Sequence, residues 1–78
     1  MAPWKADQVL DAKGVTCPMP ILMIKKALKE MRPGQVLEVH GTDPGTQNDL
    51  PAFTSRSGDE FLGQEERPGY VAYFVKKR

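Results

Sequence analysis

Apolar residues at Ile21, Ile24, Leu28 and Met31 recur at spacings of three and four, which places them on one face of a helix. Pro33 and Gly34 stop that helix. In "QVLEVHGT" the period changes to two: Leu37 and Val39 point one way, Glu38 and His40 the other, as in a half-buried strand. Upstream, "QVLD" (Gln8 to Asp11) is a short strand candidate that ends at a Lys-Gly turn. Downstream, Asp43 followed by Pro44 forms an N-cap and first-turn pair for a second helical segment. Pro51 lies inside that segment, where it deletes a backbone donor and disfavours helical angles at Leu50, so a break or kink is expected there. "EFLGQEE" and "YVAYFVK", separated by "RPG", read as an antiparallel hairpin.

The predicted order is β-α-β-α-β-β. With right-handed crossovers both helices fall on one face of a four-stranded mixed sheet, giving an α+β two-layer sandwich. Tyr70, Tyr73 and Phe74 then serve as sheet packing; a base-stacking platform would need a basic groove that the sequence does not supply.

The chain has 78 residues, which sets one small domain over 1–78, with 1–6 expected to be a flexible N-terminus. Eleven Lys and Arg against ten Asp and Glu leave a formal charge of +1, so no global field draws the chain to nucleic acid. The terminal Lys76, Lys77 and Arg78 read as a solubilising end. One cysteine forbids an internal disulfide, and one cysteine with one histidine cannot complete a structural zinc site, so no metal is expected. No apolar run reaches the roughly 18 residues of a membrane-crossing helix, and "MAPWKADQ" lacks the apolar centre of a secretory signal. The expectation is a soluble cytoplasmic protein with no membrane association, where a free thiol stays reduced.

That thiol, Cys17, sits in "GVTCPMP", between the Gly14 turn and the predicted helix. With Cys17 at the N-cap, Pro18 takes the first helical position, Met19 the second and Pro20 the third. Neither proline loses a helical hydrogen bond in the first turn. The Met19 N–H is left aimed at the capping side chain, and the positive end of the helix dipole adds to it. No Asp or Glu occurs between Lys13 and Lys29, while Lys25 and Lys26 follow two turns along. Such surroundings favour the thiolate and make the sulfur nucleophilic; the bland alternative is a buried cysteine serving as a small hydrophobe. A dithiol cycle is unavailable without a second cysteine. His40 lies on a strand and suits a surface or packing role better than base catalysis, and no Ser-His-Asp set, phosphate loop or paired carboxylate motif is present. A lone activated thiol on so small a domain suits a carrier better than a complete catalyst.

"DAKGVTCPMP", the helix after it, "PGQVLEV", "TDPGTQNDLPAF" and the final hairpin resemble the TusA/SirA-like sulfur-carrier family over nearly the whole chain. The resemblance implies a Cys-Pro-x-Pro site in which Cys17 carries a persulfide sulfur, while Gly14, Pro18 and Pro20 shape the helix start. Asp43 and Pro44 match the family's turn before the second helix, and Lys25 and Lys26 its basic positions along the first. A cysteine desulfurase or rhodanese-like protein would be the donor and a TusBCD/DsrEFH-like protein the acceptor. The pathway would be tRNA thiolation, molybdenum-cofactor maturation or sulfur oxidation. No cofactor is implied beyond the transient persulfide, and no direct contact with nucleic acid. Lys25, Lys26, Lys29 and Arg32 are expected to dock acidic partner surfaces. Gly45 could loosen the second helix. The rival reading is a regulatory adaptor that binds partners through the first helix without moving sulfur.

Overall fold

A computed structural model describes residues 4–16 and 19–78. Strand β1 (Gln8–Ala12), helix α1 (Met19–Glu30), strand β2 (Val36–Gly41), helix α2 (Thr46–Ser57), strand β3 (Glu60–Arg67) and strand β4 (Tyr70–Lys76) follow one another along the chain. They form one sheet of order β1-β2-β4-β3. β1 and β2 are parallel; β4 is antiparallel to both of its neighbours. The helices pack on each other and on the same face of the sheet, which is the expected two-layer sandwich.

The α1 stripe faces the sheet as its spacing predicts. Ile24, Leu28 and Met31 are buried, Ala27 joins them, and Ile21 packs at the margin. β2 contributes Leu37 and Val39, β4 contributes Tyr73 and Val75, and α2 contributes Leu50. α1 ends at Glu30, and Gly34, at φ +92°, donates its N–H to the Lys77 carbonyl at 2.7 Å. The β3–β4 turn has Pro68 and Gly69 at its centre. Gly69 sits at φ +83°, a conformation a type II turn requires and glycine adopts without a Cβ penalty.

The expected N-cap of α2 and the expected break within it are overturned. Asp43 is not its N-cap: Thr46 donates its N–H to the Asp43 carbonyl at 3.2 Å, closing a turn around Pro44, and the helix starts only at Thr46. Gly45 takes the capping position with helical angles and no side-chain cap, its carbonyl accepting from Asn48 and Asp49 at 3.1 and 2.9 Å. Nor does Pro51 break the helix, which runs on to Ser57. The local penalty is outweighed by packing, because Leu50 and Thr54 on either side of the proline are both buried. The Thr54 hydroxyl lies 3.2 Å from the Leu50 carbonyl and 3.0 Å from that of Pro51, so the buried oxygen is satisfied within the helix.

Among the described residues no helix covers the sheet's other face. Glu38 Oε2 meets His40 Nε2 at 2.5 Å and Arg67 Nη1 at 3.0 Å, and Arg67 Nε donates to Glu65 Oε1 at 2.8 Å. The His40 ring lies against Tyr70, centroids 4.8 Å apart, in the packing role anticipated for it. Beside this network Trp4 stacks on Phe74 with ring centroids 5.1 Å apart, and Phe74 is fully buried. Of the segment expected to be a flexible N-terminus, residues 1–3 lie outside the described residues.

Candidate functional site

β1 and β2 run parallel, so their carboxyl ends lie at one edge of the sheet, and each leads through a short loop into a helix. The Cys-Pro-x-Pro sequence runs into the start of α1, whose first two residues, Met19 and Pro20, complete it. Cys17 and Pro18 themselves lie outside the described residues, and with them the expected N-cap and first helical position. Val15 donates its N–H to the Ala12 carbonyl at 3.2 Å, and Gly14 donates its own to Thr42 Oγ1 at 2.8 Å, tying the loop before α1 to the one after β2. Gly14 stands at φ +79° with nothing within 4 Å of a prospective Cβ, so its backbone conformation, not crowding, calls for glycine. Lys13 places Nζ 4.8 Å from the centroid of the Tyr70 ring, a cation–π contact that bridges to β4.

At the helix start one expectation is corrected. The Met19 N–H is not left for a capping side chain: it donates to the Thr16 carbonyl at 3.0 Å. The reason is local, since the acceptor is a backbone carbonyl only three positions upstream. Pro20 is buried and closes the core at this end. The first turn of α1 carries no acidic residue. Two apolar side chains face outward instead, Met19 at 49 % and Leu22 at 52 % exposure, three positions apart and so on one side of the helix. Lys25, Lys26 and Lys29 continue that exposed side, while Arg32, also exposed, lies two residues past the end of α1. The outward apolar pair escaped the sequence reading because the buried stripe accounted for the helix; a second apolar set at Met19 and Leu22 was the available signal.

The β2–α2 loop borders a cleft of ≈ 280 Å³ lined by Thr42, Asp43, Pro44, Gln47, Tyr70 and Tyr73 among others. Burial pushes the Tyr73 phenol above its ordinary pKa and the Asp43 carboxylate pushes it further, so it stays protonated at neutral pH. The Asp43 and Asp49 carboxylates approach to 3.3 and 3.7 Å of a prospective Cβ at Gly45, so a larger residue there would meet them. Asp43 and Pro44 thus shape the loop beside the thiol segment rather than cap α2. Among the described residues no group of three His, Cys, Asp or Glu side chains could hold a metal ion, and no helix is long and apolar enough to cross a membrane.

Gly14, Thr42, Asp43 and the start of α1 are therefore gathered at one edge, with the basic α1 face running away from it. Among curated proteins, the chain is 47 % identical over 73 residues to a putative sulfur carrier protein, YrkI, of Bacillus subtilis, covering 94 % of this chain and 97 % of that protein. It is 46 % identical over 71 residues to the sulfur carrier protein TusA of Allochromatium vinosum, covering 91 % and 93 %. Among solved structures, a SirA-like protein from Desulfitobacterium hafniense superposes with a TM-score of 0.72 at 28 % identity, covering 88 % of this chain and 95 % of that one. The family model described as sulfurtransferase TusA matches residues 8–77, and the chain belongs to that family.

Proposed function

We propose that the protein is a sulfur carrier that holds a persulfide sulfur on Cys17. The carrying observation is the single cysteine of the chain, set in a Cys-Pro-x-Pro segment at the entry to α1, in a chain whose relatives of nearly equal length are described as sulfur carriers. The Cys17 thiolate attacks the outer sulfur of a donor persulfide, the donor's S–S bond breaks, and the donor leaves as a thiolate. An acceptor thiolate then attacks the outer sulfur of the Cys17 persulfide and releases the Cys17 thiolate unchanged. The cycle needs no net oxidant or reductant, only a thiolate and access. α1 and α2 both begin at the carboxyl ends of the parallel strands, so the positive ends of two helix dipoles lie at this edge and favour an anionic sulfur.

The donor is a cysteine desulfurase or a rhodanese-like protein and the acceptor a TusBCD/DsrEFH-like protein, in tRNA thiolation, molybdenum-cofactor maturation or sulfur oxidation. These partners dock on the exposed side of α1, where the apolar Met19 and Leu22 lie next to Lys25, Lys26 and Lys29. Incubation with a cysteine desulfurase and cysteine, followed by intact mass measurement, tests the proposal. A gain of one sulfur atom that reduction removes and Cys17→Ser abolishes is the expected result. Wild-type protein that stays unmodified where a known carrier is loaded refutes it and leaves the adaptor reading.

A further inference from the structure

The two edges of the sheet are unlike. β3 carries Glu60, Glu65, Glu66 and Arg67 and is interrupted by a bulge between Phe61 and Gly63, features that discourage a further strand from pairing. β1 has the sequence QVLDA, no bulge in its pairing with β2 and one charged residue, and Val9 on its outer side is 57 % exposed. Between this edge and α1 lies a groove of ≈ 320 Å³, floored by Leu10, Met23 and Ala27 and rimmed by Gln8, Lys26 and Glu30.

Charge distribution along the groove says what fits it. α1 connects two parallel strands and so runs antiparallel to β1, which sets Glu30 towards the Gln8 end and Lys26 towards the Leu10 end. A surface with a cation at one end and an anion at the other is complementary to itself under a two-fold rotation. We propose that this edge is a homodimer seam, in which β1 pairs antiparallel with β1 of a second copy about an axis through Val9. Leu10 then lies opposite Gln8 of the partner subunit, and Lys26 faces Glu30 of the partner subunit, twice over. The exposed Val9 side chains meet on the outer face, and the four-stranded sheets join into one of eight. Asp7 and Asp11, which come near each other at the ends of the seam, are held by the backbone N–H groups of Val36 and Lys13 at 2.8 and 3.0 Å. An edge of five residues buries less than the roughly 800 Å² per partner of a stable complex, so the association depends on concentration.

Sedimentation velocity of the full chain over a concentration series tests the seam, with circular dichroism confirming that each variant is folded. Wild-type protein is expected to shift from monomer towards dimer. Lys26→Glu and Glu30→Lys should each raise the dissociation constant about tenfold. An equimolar mixture of these two variants should regain association, because the mixed dimer sets opposite charges against each other at both ends. Val9→Lys, which brings two ammonium groups together at the axis, should leave monomer. A wild-type chain that is monomeric at every concentration overturns the proposal. So does a dimer whose dissociation constant none of the three substitutions changes.

Discussion

Gly63 and Trp4 make a prediction that separates packing from backbone conformation. A Cβ built at Gly63 lies 2.5, 3.1 and 3.3 Å from three carbons of the Trp4 six-membered ring, so Gly63→Ala must push the indole off the sheet. Removing a buried tryptophan costs roughly 3–5 kcal/mol, and Trp4 is only half-buried, so displacing it costs about 2 kcal/mol. Gly63 also stands at φ +153°, which an alanine adopts with a strain of about 1 kcal/mol. Gly63→Ala should therefore destabilise the wild type by about 3 kcal/mol but a Trp4→Ala background by only about 1 kcal/mol, a coupling near ~2 kcal/mol between residues in contact. In a domain of this size 1 kcal/mol moves Tm by about 4–8 °C, so calorimetry resolves the four corners of the cycle. Trp4 is the sole tryptophan, and its emission should shift to the red in Gly63→Ala. Equal costs of Gly63→Ala with and without Trp4, or unchanged emission, would refute the stacking of Trp4 over this glycine.

Glu38 gives a pH dependence. Burial alone would raise its carboxyl, but hydrogen bonds from His40 and Arg67, aided by their charges, outweigh it and hold the group below its ordinary value. Its stabilisation is thus present above the unfolded-state carboxylate value of about 4.3 and lost as pH falls through the lower folded value, so the wild-type advantage over Glu38→Gln in urea unfolding should shrink from about pH 5 towards pH 3; an advantage independent of pH would contradict it. Thr42→Val removes the acceptor of the Gly14 N–H and should cost about 0.5–1.5 kcal/mol while speeding amide exchange at Gly14; unchanged exchange would show that the two loops are not coupled. Reversing Lys25 and Lys26 to Glu should slow sulfur transfer from a protein donor and weaken its salt dependence, while alkylation of Cys17 by a small neutral reagent proceeds as before. Transfer at the wild-type rate, insensitive to salt, would place docking elsewhere.

The elements legible in the sequence are those whose pattern and burial coincide. Ile24, Leu28 and Met31 are spaced as a helix face and buried as one, and Leu37 and Val39 alternate with Glu38 and His40 because only one face of β2 meets the helices. The start of α2 and its continuity through Pro51 are not legible locally for a common reason: local rules weigh the proline and the Asp-Pro pair, while the burial of Leu50 and Thr54 depends on residues far along the chain. The site shows the same division. A glycine turn and a Cys-Pro-x-Pro segment can be read locally, whereas the bond between Gly14 and Thr42 spans 28 positions and leaves no periodic trace.

The outer face of the sheet carries the point further. Alternation identifies Glu38, His40 and Phe74 as residues that leave the core, but it cannot say what they meet. In β2 and β3 they meet charge of the opposite sign, with Glu38 and Arg67 joined across 29 positions. On β4 Phe74 meets Trp4, an aromatic residue in a short polar stretch where no period exists to mark it as structural. A two-layer domain has a single helix-covered face, so whatever shields the other must come from side chains in register across strands or from the segment that precedes β1. Both depend on the strand order β1-β2-β4-β3, which brings Glu38, Phe74 and Gly63 level with one another. Gly63 therefore acquires its role only once the sheet is assembled: in sequence it is an isolated strand glycine, and in the fold it is the gap that lets an indole pack, tilted by 38°, against a buried phenylalanine.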